Sequence, residues 1–419
     1  MAEIGAEIKA SVVVIVYNAQ KTLKSCLDSL MALDFPKNQY EILVVDNHST
    51  DGTKNIILQY PVTYLFEPNR GRGWARNKGV KAARGEFVAF TDADCIATSD
   101  WLKNLLEGFK DSEEVAICGG KIIAFRQQTA FEKYVEQKGI LDQEKGIKGD
   151  NPQDLPRAVT ANAAFRRSIF EKAGYFDEEL ITSEDTEISW RISLLGYEIK
   201  YVPQATIYHQ HTKTLADFCR HHFDFGRAAV VINQKYGKMY FGVGGPSSLF
   251  QAVVVSLRVF FILMGRLLEA LGKGIGQEKI LFIIFDATLR TSYNMGCFCA
   301  LLQAYDPRQK RVATSKIPLD HFFRQFAFHN DATKWSSSQP LTWFLNDGIM
   351  RLVVFFEGLH VYKLNRTATR IFLNLLKTSD LTETIETMAA SYQVARNTVD
   401  QDVREFLAML KDERILQQA

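Results

Sequence analysis

The chain has 419 residues, 47% of them hydrophobic, with 50 basic against 48 acidic side chains and a formal charge of +2. At roughly 100 to 200 residues per domain this length suggests two or three domains, and so even a charge balance argues against a nucleic-acid-binding surface or an acidic solvating tail. Residues 1–9 carry Glu3 and Glu7 without a basic start or an apolar run, so no secretory signal is read and a cytoplasmic protein is expected. Six cysteines, Cys26, Cys95, Cys118, Cys219, Cys297 and Cys299, show no C-x-x-C spacing and read as small apolar residues, with neither disulfides nor zinc.

Residues 10–16 hold a β-branched run that predicts a strand, followed by Tyr17 and Asn18 and a helix with Leu23, Cys26, Leu27 and Leu30 at three and four spacing. Residues 40–45 predict a second strand, the turn and capping residues 46–53 open a helix through Leu58, and 62–66 predict a third strand. This alternation predicts an α/β fold with a doubly wound, mostly parallel sheet whose strand ends carry the binding loops. Residues 71–85 form a basic helix flanked by glycines; the G-x-G inside it lacks the third glycine of a dinucleotide fingerprint. The apolar run 87–90 then predicts a buried strand that ends in Asp92 and Asp94, two carboxylates placed to share a cation. Taken alone, such a pair more often caps a turn.

Residues 121–125 predict another strand, and the polar stretch that runs on to Pro156 is expected to be a flexible loop that closes over substrate. A helix, a turn at 174–177 and a second helix opening at Ser183, Glu184 and Asp185 follow; Glu187 and Arg191, four apart, suit a surface ion pair. Residues 199–203 read as an edge-like strand, with His209 and His211 beyond it, and His221 and His222 fall in a helix over 216–226.

The motifs Val-Val-Ile-Val-Tyr-Asn, Val-Val-Asp-Asn-His-Ser-Thr-Asp-Gly-Thr, Ala-Arg-Asn-Lys-Gly and Thr-Asp-Ala-Asp, in this order, resemble those of the family 2 glycosyltransferases, GT-A enzymes that use nucleotide sugars; the resemblance covers about residues 10–230. It implies that Tyr17 and Asp46 hold the base, that Arg76 lies near the diphosphate, that Asp94 binds Mn2+ or Mg2+, and that Asp92 contacts the ribose or a metal-bound water. Asn47 departs from the second Asp of many relatives, which bears on nucleotide preference. Residues 183–191 resemble the family's Glu-Asp motif, which implies Asp185 as general base, Glu184 as its neighbour toward the acceptor, and Trp190 and Arg191 on the acceptor side. His209, or alternatively His211, matches the family's metal-binding histidine. The chain has no Arg-Trp pair, part of the signature of processive relatives, which favours limited transfer onto a discrete acceptor.

Residues 242–302 read as helical. The apolar stretches 249–264 and 280–302 are interrupted by Arg258, and by Asp286 and Arg290, so helices packed on the catalytic domain or lying at a membrane surface are expected rather than spans. Residues 307–340 have linker composition. Beyond them, strands at 341–345, 349–356 and 359–364 and helices at 367–377, 381–392 and 397–411 predict a small winged-helix α+β domain. Its hairpin, the run Val361-Tyr362-Lys363-Leu364-Asn365 and the closing helix with Val403 to Leu407 resemble PqqD-like peptide-binding domains. The resemblance implies that an exposed sheet edge at Val361, Tyr362 and Lys363 takes up an extended leader peptide as an added strand. Asp400, Asp402 and Glu405 make the closing helix a poor surface for nucleic acid.

The expected division is a catalytic domain over 1–240, a helical region over 241–306, a linker over 307–340 and a peptide-binding domain over 341–419. The expected function is inverting, metal-dependent transfer of a sugar from a nucleotide diphosphate, taken as UDP, to a side chain of a ribosomally made precursor peptide, in the cytoplasm or at the inner membrane face. The alternatives are a lipid-linked or saccharide acceptor at the membrane surface, and a non-catalytic peptide-binding scaffold.

Overall fold

The computed structural model describes residues 8–125, 129–139, 141–148, 155–210, 214–236, 277–305, 327–330, 333–337, 341–346, 349–355, 359–364, 366–392, 394–412 and 415–418. Its first half alternates β1 (Ala10–Val16), α1 (Leu23–Met31), β2 (Tyr40–Asp46), α2 (Thr53–Ile57), β3 (Thr63–Phe66), α3 (Arg72–Ala82) and β4 (Phe87–Asp92). There follow β5 (Cys95–Ala97), α4 (Trp101–Glu107), β6 (Val115–Ala124), α5 (Ala130–Gln137), α6 (Gln143–Lys148), β7 (Asn162–Arg166), α7 (Ile169–Ala173), α8 (Glu184–Leu194), β8 (Glu198–His209) and α9 (Leu215–Tyr236). The second half comprises α10 (Gln277–Tyr305), β9 (Ala327–Asn330), β10 (Thr333–Ser337), β11 (Leu341–Asn346), β12 (Ile349–Phe355), β13 (Leu359–Lys363), α11 (Arg366–Thr378), α12 (Leu381–Tyr392), α13 (Arg396–Asp412) and β14 (Leu416–Gln418).

The main sheet runs β13-β12-β11-β8-β6-β7-β4-β1-β2-β3. β1 lies parallel to β2 and β4, while β7 is inserted antiparallel between β4 and β6. The central strands are buried on both faces: Val12 and Val14 pack with Leu23, Leu27 and Trp101 on one side, and Val13 packs with Leu43, Phe90 and Phe165 on the other. That is why β1 reads as a continuous apolar run and not as an alternation. On α1 the predicted spacing is realised, with Leu23, Cys26, Leu27 and Leu30 all buried.

Three expectations change. First, β8 is one long interior strand and not an edge, flanked by β6 and, through the single pair Asn346 with Ile199, by β11. Pro203 is tolerated because the ladder shifts from Gly120 opposite Val202 to Lys121 opposite Thr206, so that Pro203, Gln204 and Ala205 form a bulge. Second, the stretch read as a flexible loop after residue 125 contains α5 and α6. A capping box starts α5, Thr129 accepting from the Glu132 N–H at 3.1 Å and Glu132 accepting from the Thr129 N–H at 2.8 Å. The apolar signal was sparse: α5 buries Tyr134 and Val135, and α6 buries Ile147. Third, the described part of the expected linker holds β9 and β10, and β10 also pairs with β14 at the far end of the chain.

α9 extends well past the predicted 216–226 and packs along α10, with Gly226 against the Tyr293 carbonyl and Gly296 against that of Phe223. A Cβ at either glycine would collide with backbone, so these two positions set the close approach. Among the described residues no helix is long and apolar enough to cross a membrane; the stretch 249–264 lies outside them. In the C-terminal unit, α11, α12 and α13 enclose Ile371, Phe372, Leu375, Ile385, Val403, Phe406 and Leu410. β13, which carries Val361, Tyr362 and Lys363, ends the sheet order, so its outer edge has no partner strand among the described residues.

Candidate active site

The C-terminal ends of β1, β2 and β4 open on a cleft of about 800 Å³ lined by Tyr17, Asn47, Arg70, Arg72, Asp92 and Asp94, with Lys21 and Ile181 at its margins. Tyr17, directly after β1, is 55% exposed. Asp46, the last residue of β2, is buried behind the wall: Oδ1 accepts from the Ser49 N–H at 2.9 Å and Oδ2 from the Tyr64 hydroxyl at 3.2 Å. Asn47, in contrast, reaches the cleft. Its amide donates to the carbonyls of Glu67 (3.3 Å) and Asn69 (2.6 Å) and accepts from the Gly71 N–H (2.9 Å). An Asp there has no proton to give either carbonyl, so the departure from the family pattern shapes the 67–71 loop that brings Arg70 and Arg72 to the cleft.

Arg76 is not in the cleft. It is 3% exposed, donates to Glu184, lies 3.7 Å from Asp92 and sits 5.8 Å from the Phe176 ring. Burial lowers its pKa, and the charges of Asp92 and Asp185 oppose that shift. On α3 it is Arg72, one turn earlier, that lines the cleft, beside Arg70 and Lys21. The signal for it was Gly71: with φ at 142° it ends the preceding loop and leaves Arg72 as the first helical residue, at the ligand end of the sheet. Next in the motif, Asn77 donates to the Phe176 carbonyl (2.9 Å) and to Glu178 (2.8 Å) and accepts from the Phe176 N–H (2.9 Å), while Gly79 makes room for Val13.

Asp92 closes β4, and the chain then turns back as β5, which pairs antiparallel with β8 and sets Cys95 opposite His209. The Gln210 N–H donates to the Asp94 carbonyl at 2.9 Å. This pairing, between segments more than 100 residues apart, leaves His209 Nε2 3.5 Å from Asp94 Oδ1. Cys95 Sγ lies 3.9 Å from the same oxygen, and one ligand atom from each of the three falls within 4.8 Å of the others. Burial raises the Asp94 pKa, with His209 lowering it and Asp92 adding to the rise. Burial also pushes the Cys95 thiol well above its ordinary value, which disfavours the thiolate that binds metals. The donor pair suited to a divalent ion is therefore carboxylate and imidazole. His211 lies outside the described residues.

α8 begins after Ser183, a residue in the left-handed region at φ 63°. Asp185 is half-buried, with Oδ2 3.3 Å from the Thr160 N–H and 3.4 Å from its hydroxyl, and Oδ1 accepting from the Thr186 N–H at 2.8 Å. Glu184 is 1% exposed and gripped by Arg76, so it faces the interior and not an acceptor. Trp190 is buried too, and Arg191 is spent on Glu187 and on the carbonyls of Ala173 (2.6 Å) and Tyr175 (2.9 Å). The pair Glu187–Arg191 is no surface ion pair, since Glu187 is fully buried. Thr160 and Asn162 support the site without having carried any sequence signal, whereas Asn77 does so from within the Ala-Arg-Asn-Lys-Gly motif.

Residues 11–174 match the family described as Glycosyl transferase family 2, and residues 352–416 match Coenzyme PQQ synthesis protein D (PqqD). The poly-beta-1,6-N-acetyl-D-glucosamine synthase of Staphylococcus epidermidis is 30% identical over 200 residues, covering 45% of this chain and 47% of that protein. Glycosyltransferase AglE of Haloferax volcanii is 30% identical over 199 residues, 46% of this chain and 63% of its own. The chain thus spans about half the length of the first of these curated relatives. Among solved structures, the mannosyltransferase PcManGT from Pyrobaculum calidifontis, in complex with GDP-Man and Mn2+, aligns over 71% of this chain and 86% of its own at 21% identity and a TM-score of 0.47. Residues 11–174 thus form a region of the glycosyl transferase family 2 type, consistent with the GT-A fold, and residues 352–416 a region of the PqqD type.

Proposed function

We propose that the chain is an inverting, metal-dependent glycosyltransferase that moves a sugar from a nucleotide diphosphate, with UDP as the nucleotide, to a side chain of a ribosomally made precursor peptide. The observation that carries the transferase reading is the approach of His209 to Asp94, which lines a cleft together with Arg70 and Arg72. A leaving diphosphate needs its charge neutralised, and cations on the wall do this from the protein side. Asp94 and His209 would hold Mn2+ or Mg2+, which supplies Lewis acidity toward the diphosphate. Tyr17 stacks with the base, Asp46 and Asn47 hold the wall behind it, and Asp92 takes the ribose.

On the acceptor side, Asp185 takes the proton as the nucleophile attacks the anomeric carbon from the face away from the diphosphate. The hydrogen bonds from Thr160 and from the Thr186 N–H orient the Asp185 carboxylate. The peptide acceptor rests on the presence of a PqqD unit in the same chain and on the open edge of β13, where an extended leader adds as a strand. Tethering the leader raises the concentration of the peptide around the catalytic domain, up to the millimolar range for short flexible connections.

Incubating the protein with Mn2+, a panel of nucleotide sugars and the short peptides encoded beside its gene, followed by mass spectrometry, tests this reading. A sugar mass added to a peptide is expected. A second reading, a saccharide or lipid-linked acceptor, is favoured by the synthase relative named above. Transfer to oligosaccharide with every peptide untouched would establish it instead, and flotation with liposomes would show whether it works at a membrane surface.

A further inference from the structure

We propose that Arg76 is a positioning residue that sets the distance between the donor carboxylates and the general base, without touching the donor itself. The inference rests on the reading of Asp185 as the base. Arg76 is 3% exposed and Glu184 1% exposed, so the pair lies below the cleft and out of reach of a diphosphate. One guanidinium nitrogen donates to Glu184, and another lies 3.7 Å from Asp92, whose side chain is a third exposed in the cleft. One planar cation therefore spans the end of β4 and the first residue of α8, and Asp185 is the next residue along.

The adjoining Asn77 holds the other end of the same loop, bonding both backbone groups of Phe176 and the side chain of Glu178. Arg76 and Asn77 thus grip the two ends of residues 176–184, the segment that carries Ile181 to the cleft margin and ends in the left-handed Ser183. As a stability device the pair is poorly chosen. A buried ion pair is often matched or bettered by apolar residues of similar volume, and the second oxygen of Glu184 is buried without a hydrogen-bond partner among the described residues. As a ruler it fits, because a fork fixed by hydrogen bonds holds an angle that apolar packing does not.

The test uses the full chain with UDP and Mn2+ as the binding probe, and the hydrolysis of whichever of UDP-glucose, UDP-galactose and UDP-N-acetylglucosamine the unaltered protein turns over fastest. The variants are Arg76→Lys and the double replacement Arg76→Met with Glu184→Leu. Calorimetric UDP affinity within about twofold of the unaltered protein is expected, with kcat lower by roughly 10²-fold, the loss that a misplacement near 1 Å brings. The double variant is expected to recover the melting temperature without recovering kcat. UDP affinity falling in step with kcat would make Arg76 a donor ligand and overturn the proposal, as would full turnover in the double variant. An unaltered protein that binds UDP and hydrolyses none of the three sugars would remove the transferase reading, and the proposal with it.

Discussion

Asn162 is the residue whose loss should connect stability to the proposed metal site most directly. It is fully buried, its Oδ1 accepts from the Trp101 indole N–H at 2.7 Å, and its Nδ2 donates to the carbonyls of Lys121 (2.8 Å) and Ala205 (3.0 Å). Those two carbonyls lie on either side of the place where the β6–β8 ladder skips its register. The amide thus substitutes for ladder bonds that the Pro203 bulge breaks. Asn162→Leu keeps the volume and strands one donor and two acceptors. At about 1–3 kcal/mol per buried unsatisfied group, and allowing for relaxation among neighbours, the expected loss is about 3–6 kcal/mol. That is a large share of the ~5–15 kcal/mol by which domains are stable. Asn162→Asp keeps the acceptor for Trp101 but turns a carboxylate toward two carbonyl oxygens, so its folded-state pKa should rise above the unfolded value of ~3.9. Its stability is then fully present below that pH and is lost as the pH rises through the folded pKa. Thermal unfolding followed by tryptophan fluorescence across pH checks both variants, and manganese resonance spectroscopy of the folded fraction should report weaker Mn2+ binding, because the strand beyond the bulge delivers His209. An Asn162→Leu protein within about 1 kcal/mol of the unaltered one would refute the account of the bulge.

Four other outcomes are expected. Asp94→Ala and His209→Ala should each abolish Mn2+-dependent hydrolysis of a nucleotide sugar, whereas Cys95→Ala should keep Mn2+ affinity within a few-fold, since its thiol is held protonated; titration with Mn2+ separates the three. Asn47→Asp should weaken UDP binding by roughly tenfold, the equivalent of about 1–1.5 kcal/mol for the hydrogen bonds it can no longer donate to Glu67 and Asn69, measured by calorimetry. Burial works to raise the Asp286 pKa, but Lys138 and Arg290 outweigh it and hold the carboxyl below its usual range; the stability this lends to the α5–α10 contact is present above the unfolded pKa and lost as the pH falls through the folded one. The gap in melting temperature between the protein and Asp286→Asn should therefore close in acid, below about pH 4. Removing the C-terminal unit should cost peptide modification far more than donor hydrolysis, and the cut belongs at residue 327 and not at 341, because Trp335 of β10 pairs with Gln418 of β14; equal loss of both activities would count against the tether.

Much of the donor half was legible because its signals are local. The run 12–16 is a strand buried on both faces, the spacing of Leu23, Cys26, Leu27 and Leu30 is a helix facing one layer, and Asp92 and Asp94 follow an apolar strand by a fixed number of residues. His209 was legible as a residue type in a family position, but its contact with Asp94 was not. β5 has only three residues, too few to show a period, and its pairing with β8 depends on a bulge that no local pattern announces. α5 and α6 were hidden for a related reason: each is under three turns long and several of its buried positions are polar or glycine, such as Glu132, Gln143 and Gly146, so the composition outweighed the few apolar ones.

The reassignment of Arg76 carries the more general lesson, because the same motif supports two physical readings. A basic residue four places into a glycine-flanked helix at the ligand end of a sheet suits an anion, and electrostatics alone favours that reading. What decides between them is depth. Arg72 and Arg76 lie on one face a turn apart, about 6 Å along the axis. Over that distance the surroundings change from open cleft, where a cation meets the substrate, to protein interior, where it must be matched by Glu184 or stay uncharged. A sequence records the helix and the charge but not how far the helix is sunk, since depth is set by partners elsewhere, here Phe176 from the loop and Glu184 from α8. The same reasoning makes Glu184 an internal counter-ion, whereas Asp185, one residue on, is only partly buried, as the proposed base must be.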